Sequence, residues 1–350
     1  MSNLLDLARP EIRALHAYCA AGHEDGLVRL NANETPWPAI GDGNSLNRYP
    51  NERPVTLTGR LTAHYGLDPG RLLVTRGSTD AIDLLLRGFC RAGQDEIIIC
   101  PPTFTMYQVY AHIQGATVRE VPLLRERGFA LNHKAIIDSW TPRTKLLFVC
   151  SPNNPTGNRV PEAELDELCV ALAGRGLVVV DGAYSEFADS DPTRSLLQRH
   201  DNVVVLRTLS KAYGLAGIRC GALLAHAEIV SMLGKVLPPY AFPTPSVQAA
   251  LRCLEQLDED EQNQRIAKLT AERARLASEL AELDSVTQIW PSEANFLLAE
   301  FGEPGQAVKA ARRGGVLLRD FSEEPGLSGC LRITVGDTDQ NTQLLASFRR

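Results

Sequence analysis

One lysine stands where a reactive amine could be held, in a loop that follows an apolar stretch. The segment 206–221, LRTLSKAYGLAGIRCG, predicts a strand that ends near Thr208, followed by a loop with Ser210, Lys211 and Arg219. An ammonium group is costly to bury, so a lysine between apolar elements needs a chemical role or an exit to solvent. With these hydroxyls and this arginine, Lys211 suggests an amine nucleophile beside a phosphate site. A solvated surface position is the ordinary alternative for a single lysine.

Two further polar side chains follow predicted apolar strands. Asp181 comes directly after the apolar residues 177–180, and a carboxylate at the mouth of a buried strand needs a cationic partner. A protonated ring nitrogen would suit it, although an aspartate that accepts a turn hydrogen bond is an equally good explanation. Asn154 lies in the turn CSPNNPTG (150–157) and offers a donor and an acceptor to a ligand hydroxyl. A turn without a ligand is the alternative there.

A fourth feature is the segment TRGSTDAID (75–83), in which Gly77, Ser78 and Thr79 follow a predicted strand and open a helix. Free amides and hydroxyls at a helix N-terminus bind anions, although the same residues also act as plain helix caps. The dinucleotide pattern GxGxxG follows no predicted strand, which disfavours a nicotinamide-dependent oxidoreductase. The joint occurrence of the four features at strand ends predicts an active site.

The elements around these residues predict an α/β fold. Short apolar runs alternate with stretches of helical period through the middle of the chain, which favours a mostly parallel sheet covered on both faces. In such sheets ligands bind beyond the carboxyl ends of the strands. The predicted strands are 72–75, 96–100, 145–150, 177–181, 203–208 and 222–225, with helices at 79–91 and 161–173 among those between them.

The pattern changes after residue 240. The proline-rich segment 238–246 marks a boundary, and a long, solvent-facing connecting helix is expected from 246 to about 283. Short strands and two helices then indicate a second, smaller α/β domain. We therefore expect three parts, which are an N-terminal segment that packs with the small domain (1–28), a large domain (29–245) and a small domain (246–350).

Composition excludes several other classes of protein. The 350 residues carry a formal net charge of −6 and no basic run, which argues against nucleic-acid binding. The eight cysteines form no CxxC pair, so reduced, buried thiols are expected and no metal site. The first residues lack the apolar core of a signal peptide, and no apolar run is long enough to span a bilayer. A cytoplasmic protein without a membrane partner is therefore expected.

Motifs along most of the chain carry a family resemblance. They are RLNANETP (29–36), NRYP (47–50), CPPTFTMY (100–107), CSPNNPTG (150–157), RTLSKAYGLAGIRCG (207–221), LLRD (317–320) and SGCLRITVG (328–336). In these motifs the chain resembles the fold-type I pyridoxal-phosphate aminotransferases, and most closely the histidinol-phosphate branch of that family. The resemblance implies a large domain with a mostly parallel mixed sheet in an α/β/α sandwich and a smaller α/β domain.

The resemblance also implies a role for each motif residue. Lys211 would carry pyridoxal 5′-phosphate as a Schiff base and then move the substrate proton, and Asp181 would pair with the ring nitrogen. Asn154 and Tyr184 would hydrogen-bond the 3′-oxygen of the ring, and Tyr107 would stack on its face. The phosphate would be held by the remaining cofactor residues, which are Gly77, Ser78, Thr79, Thr208, Ser210, Arg219 and, from a neighbouring subunit, Tyr49.

For the substrates, the resemblance implies transamination of histidinol phosphate with 2-oxoglutarate in histidine biosynthesis, by a homodimer with composite sites. Arg332 and Arg319 would bind the substrate anion, since a planar guanidinium suits both phosphate and carboxylate. Tyr18 and Asn33 would complete the pocket. Gly182 departs from the family, which usually has glutamate there. A threonine-phosphate decarboxylase or a broad aromatic aminotransferase of the same fold stays open. A non-catalytic cofactor-sensing domain is disfavoured, because the chain lacks the basic charge of the DNA-binding domain that such regulators carry.

Overall fold

Two sheets of different size organise the computed structural model, which describes residues 4–18, 27–41, 46–68 and 70–349. The strands are β1 Leu72–Thr75, β2 Glu96–Ile99, β3 Thr117–Glu120, β4 Thr144–Cys150, β5 Leu177–Asp181, β6 Val203–Thr208, β7 Gly221–Ala225, β8 Val286–Ile289, β9 Phe296–Phe301, β10 Arg319–Asp320 and β11 Cys330–Thr334. The α-helices are α1 Pro10–Arg13, α2 Val55–His64, α3 Ser78–Phe89, α4 Met106–Gln114, α5 His133–Asp138, α6 Glu162–Ala171, α7 Thr193–Arg199, α8 Ala227–Gly234, α9 Thr244–Glu255, α10 Glu259–Ala281, α11 Pro304–Arg313 and α12 Thr338–Phe348.

The larger sheet has seven strands in the order β1-β7-β6-β5-β4-β2-β3. Strands β3, β2, β4, β5 and β6 run parallel, whereas β7 is antiparallel to both of its neighbours. The central strands are buried along their length, as strands covered on both faces must be. The predicted fold class, a mostly parallel sheet of the fold-type I kind, is confirmed. The carboxyl ends of β1, β4, β5 and β6 consequently lie at one edge of the sheet.

Strand β3 did not appear in the sequence prediction. Its residues, TVRE, are exposed or only half-buried, because the strand closes one side of the sheet and pairs only with β2. An edge strand of this kind lacks the apolar run by which the buried strands are recognised. The site does not depend on it.

The smaller sheet has four strands in the order β10-β11-β9-β8, all antiparallel. The single connecting helix expected from 246 to 283 is instead two helices, since α9 ends at Glu255 and α10 begins at Glu259, where the Asp258 side chain accepts two backbone N–H groups. Near its end, α10 buries Leu276 and Leu280 in the core beneath the small sheet. The domain boundaries given above stay a prediction.

The N-terminal segment does not pack as expected. In its described part, Ala8 is buried in the core of the large sheet, and the Arg9 amide donates to the carbonyl of Gly88 in α3 at 3.0 Å. The apolar turn at 4–7 contacts α8, which belongs to the large-sheet part of the fold. None of the helices in the described ranges combines the length and apolar character needed to cross a bilayer.

Candidate active site

A cavity of about 250 Å³ opens at the edge where the parallel strands end. The predicted residues reach it because β4, β5 and β6 are neighbours, with Cys150 opposite Asp181 in the strand register. One small-sheet strand, β11, adds an arginine from the other side. The lining residues are Ser78, Thr79, Phe104, Cys150, Asn154, Asp181, Ala183, Tyr184, Thr208, Ser210, Lys211, Arg219 and Arg332.

Lys211 lies in a tight turn directly after β6. Its carbonyl accepts the amide of Gly214 at 3.2 Å, and the neighbouring carbonyl of Ala212 accepts the side-chain amide of Gln262 at 2.8 Å. Gln262 belongs to α10, so this helix is more than the solvated connector expected from the sequence. The Lys211 ammonium lies 5.5 Å from the centre of the Tyr184 ring. The turn and the helix together fix the amine inside the cavity.

The electrostatic surroundings of Lys211 favour a neutral amine. Burial lowers its pKa below the ordinary lysine value, and the positive charges of Arg332 and Arg219 lower it further. The carboxylate of Asp181 opposes these effects and is the weakest of the named influences. A lysine that loses its proton readily can act as a nucleophile and as a general base.

Asp181 forms the floor of the cavity. It is 2% exposed, and its two oxygens accept the Tyr107 hydroxyl at 2.8 Å and the Ala183 amide at 3.2 Å. Burial raises its pKa, whereas these two hydrogen bonds and the charge of Lys211 lower it. No ion pair joins Asp181 to a cation elsewhere in the described residues. A buried carboxylate in this setting needs a cation in the cavity.

Tyr107 does not occupy the stacking position expected of it. Its ring is fully buried, lies 4.8 Å from the parallel ring of Phe148, and turns its hydroxyl toward Asp181 from inside the core. The aromatic wall of the cavity is Phe104, which the sequence reading missed although it stands three residues earlier in the same motif. On a helix start, residues three apart share a face, so spacing alone could not separate the two rings.

Hydroxyls, a helix N-terminus and an arginine form a cradle at one end of the cavity. Helix α3 starts at Ser78 without a side-chain cap, and Ser78 and Thr79 of its first turn line the cavity. A Cβ atom on Gly77, whose φ is +76°, would lie 2.6 Å from the Arg219 guanidinium. The hydroxyls of Thr208 and Ser210 lie 2.9 Å apart. This composition suits a phosphate group.

Asn154 connects the opposite walls of the cavity. Its side-chain nitrogen donates to the Tyr184 hydroxyl at 3.4 Å, and its oxygen accepts from the Arg332 guanidinium. Burial lowers the pKa of Arg332, and this guanidinium also lies 5.3 Å from the ring centre of Phe296. Burial likewise raises the pKa of Tyr184 above that of an ordinary tyrosine. Asn154 and Tyr184, which are both predicted to hydrogen-bond the 3′-oxygen of the cofactor ring, are therefore neighbours.

Besides Tyr107 and Gly77, which lie directly behind the lining residues, four predicted residues lie outside this cavity in the single chain. Arg319 is exposed on β10, opposite Arg332 in the register of the sheet. Tyr49 is 52% exposed and stacks on Tyr240, and Asn33 lies beside it with a φ of +57°. Tyr18, which is 61% exposed, lines no part of the cavity. The geometry of one chain leaves these assignments as predictions.

Gly182, where the family usually has glutamate, occupies a crowded position. A Cβ atom there would lie 2.6 Å from the Ser185 hydroxyl and 3.3 Å from the Leu206 carbonyl. Close approach of the turn at 182–185 to β6 is thus possible because glycine has no side chain. Arg207, a buried cation next to this turn, forms an ion pair with Glu186 at 2.7 Å.

Comparisons with known proteins show the family of this chain. Residues 21–348 match the family model described as aminotransferase class I and II. Histidinol-phosphate aminotransferases from Xylella fastidiosa and Xanthomonas campestris pv. campestris are 43% and 41% identical to this chain. The alignments cover 99% and 100% of this chain, and 96% and 98% of theirs.

One solved structure, that of histidinol-phosphate aminotransferase from Sinorhizobium meliloti in complex with pyridoxal-5′-phosphate, shares the fold. Its TM-score is 0.77 at 24% identity, and the match covers 86% of this chain and 82% of that one. At this identity the likeness concerns the fold alone, whereas the family match and the full-length relatives establish membership. This chain therefore belongs to the class I and II aminotransferases and is a pyridoxal-phosphate-dependent enzyme.

Proposed function

We propose that this enzyme transfers the amino group of L-histidinol phosphate to 2-oxoglutarate, giving imidazole-acetol phosphate and L-glutamate, in the biosynthesis of histidine. The observation that carries the proposal is a pair of arginines that are register partners on β10 and β11. Arg332 lines the cavity, Arg319 stands opposite it, and neither forms an ion pair with any described carboxylate. Two unneutralised guanidinium groups suit a phosphate dianion or a dicarboxylate. Full-length similarity to histidinol-phosphate aminotransferases supports the same substrate.

The cavity fits pyridoxal 5′-phosphate on the evidence of its own side chains. The cradle of Ser210, Arg219 and the α3 N-terminus would hold the phosphate, and the buried Asp181 would meet the ring nitrogen. Phe104 would cover one face of the ring, and Lys211 lies between the two ends as the point of attachment. The bound cofactor supplies an electron sink for the carbanion that forms when the substrate Cα loses its proton.

The side chains of the cavity divide the remaining work. Lys211 would take the proton from the substrate Cα and return it to C4′ of the cofactor, and its lowered pKa makes it competent as a base. Asp181 would keep the ring nitrogen protonated through an ion pair in a buried setting. Asn154 and Tyr184 would bind the 3′-oxygen, and Arg332 would orient the substrate anion. Each role is a proposal that follows from position and charge.

A homodimer would complete each site. Large apolar side chains are exposed on the part of the chain around Tyr49, and the most exposed are Val28, Leu30, Trp37, Ile40 and Val55. Several exposed apolar side chains in one part of the chain are consistent with a subunit interface. In such a dimer Tyr49 would reach the phosphate of the partner subunit's cofactor, and Tyr18 and Asn33 would join the substrate pocket. We expect the enzyme to act in the cytoplasm.

Steady-state kinetics with three amino compounds test the proposed substrate. Histidinol phosphate and phenylalanine are each assayed with 2-oxoglutarate, with glutamate as the measured product, and threonine phosphate is assayed for release of CO₂. We expect kcat/KM for histidinol phosphate to exceed that for phenylalanine by about a hundredfold, since loss of the phosphate contacts costs about 3 kcal/mol. Equal or better turnover of phenylalanine, or CO₂ release from threonine phosphate as the main reaction, would refute the proposal.

A further inference from the structure

The pair of strands β10 and β11 holds two like charges side by side without a counter-ion. Arg319 and Arg332 are register partners in this ladder, and the positive charge of Arg319 contributes, after burial, to lowering the pKa of Arg332. No ion pair among the described residues involves either guanidinium. Since like charges repel, another group must keep the exposed Arg319 side chain near its neighbour.

Phe321 contacts both guanidinium groups. The Cζ atom of Arg319 lies 5.3 Å from the centre of the Phe321 ring, and that of Arg332 lies 5.5 Å from it. The backbone fixes the ring, because the Phe321 amide donates to the Cys330 carbonyl of β11 at 3.0 Å. The Phe321 side chain also lines a second cavity, of about 400 Å³, that Phe104 borders.

An aromatic ring stabilises cations differently from a carboxylate. The negative face of the ring attracts a guanidinium group without neutralising its charge and without accepting its N–H groups as a carboxylate would. Arg319 makes no hydrogen bond to another described side chain, so its donors stay available for an anion. Arg332 uses one nitrogen for Asn154 and keeps the others. The arrangement therefore preserves the charge and the free donors of both arginines on the strand pair from which Arg332 lines the active-site cavity.

We propose that Phe321 is a positioning residue for recognition of the phosphate group, because its ring holds Arg319 and Arg332 together as one anion site. The inference rests on the proposed function for the identity of the anion. Without the ring, Arg319 returns to solvent and the anion keeps a single arginine. Phosphate, a dianion that can engage two guanidinium groups at once, loses more by this change than a single carboxylate does.

The test substitutes Phe321→Leu, which keeps an apolar side chain and removes the aromatic face, and Phe321→Tyr, which keeps that face. Phe348→Leu is the matched control, since Phe348 is likewise a partly buried phenylalanine at the edge of a core, packs on Phe301, and makes no cation–π contact with a cation of the described chain. For F321L we expect KM for histidinol phosphate and the inhibition constant of inorganic phosphate to rise about tenfold, with kcat little changed. F321Y and F348L should behave as the wild type does.

A double-mutant cycle separates positioning from a general loss of structure. The effect of F321L on phosphate inhibition should nearly vanish in an Arg319→Gln background, because the ring then has no second cation to hold. Additive effects in the cycle, wild-type phosphate affinity in F321L, or an equal defect in F321Y would overturn the proposal. If F321L does not fold, Phe321→Met takes its place in the same comparisons.

Phosphate binding also distinguishes failure of this inference from failure of the proposed function. Calorimetric titration of the holoenzyme with inorganic phosphate requires no turnover. If the wild type fails to transaminate histidinol phosphate but binds phosphate about tenfold more tightly than F321L, the substrate assignment is wrong and the role of Phe321 stands. If the wild type turns over histidinol phosphate and F321L binds phosphate equally well, the role of Phe321 is wrong.

Discussion

Replacement of Tyr107 by phenylalanine tests whether this residue supports Asp181 from inside the core. The substitution keeps the ring and removes only the hydroxyl that donates to Asp181 at 2.8 Å. A hydrogen bond to a charged group contributes about 1.5–3 kcal/mol, which shifts the balance between charged and neutral carboxyl by about 10- to 150-fold. One donor, the Ala183 amide, remains. We therefore expect the cofactor dissociation constant of Y107F to rise by about tenfold or more.

The pH dependence gives the sign of this effect. Burial already raises the pKa of Asp181, and loss of the Tyr107 hydrogen bond, which lowers that pKa, raises it further. As the pH falls, Asp181 therefore becomes protonated at a higher pH in Y107F than in the wild type. The loss of cofactor affinity in Y107F should grow toward low pH and shrink toward high pH. Equilibrium titration of the apoenzyme with pyridoxal phosphate from pH 6 to 9 measures it, with Tyr110→Phe on the same helix as control. Wild-type affinity of Y107F at every pH would refute the reasoning, and a ring-stacking role for Tyr107 predicts that result.

Three further substitutions test the surroundings of the site. Arg207→Met should lower the free energy of unfolding by about 3–5 kcal/mol in denaturant titrations, because it leaves the Glu186 carboxylate buried without a cation, and an unchanged midpoint would contradict this. Arg332→Gln removes a positive charge that lowers the pKa of Lys211, so the pKa of Lys211 should rise. Chemical modification of this amine in the apoenzyme should then require a higher pH, and an unchanged pH profile would argue against the influence of Arg332. Gly77→Ala places a methyl group against the Arg219 guanidinium, at a position whose φ is positive. Inorganic phosphate, which should compete with the cofactor for the cradle of the apoenzyme, should then inhibit cofactor binding severalfold less strongly. Undiminished inhibition would count against the cradle.

Much of the site could be predicted because its residues stand where apolar strands end. The register of β4, β5 and β6 brings Asn154, Asp181 and Lys211 to one edge, as their positions after buried runs indicated. Parallel neighbours make this prediction possible, since their carboxyl ends must lie on the same side. The family resemblance was needed to choose the ligand, because each residue alone also fits an ordinary turn.

Other features depend on packing that spacing does not encode. Phe104 and Tyr107 belong to one motif, but Phe104 lines the cavity whereas Tyr107 hydrogen-bonds Asp181 from the core. Only the three-dimensional position of Asp181 distinguishes the two residues. The break between α9 and α10 contains neither proline nor glycine, and is marked only by the Asp258 cap. Gln262 lies fifty residues from the loop it anchors, and a polar residue on a charged helix carries no sign of such a contact.

The position of the cofactor is the central claim, and peptide mapping after borohydride reduction tests it most directly. The sequence contains six lysines, at 134, 145, 211, 235, 268 and 309, so a reduced pyridoxyl group can be assigned without ambiguity. Lys211 alone among them lines the active-site cavity. We predict that the label falls on Lys211 and disappears, together with transamination, in Lys211→Ala. A label on any other lysine, or transamination retained by that variant, would contradict the account.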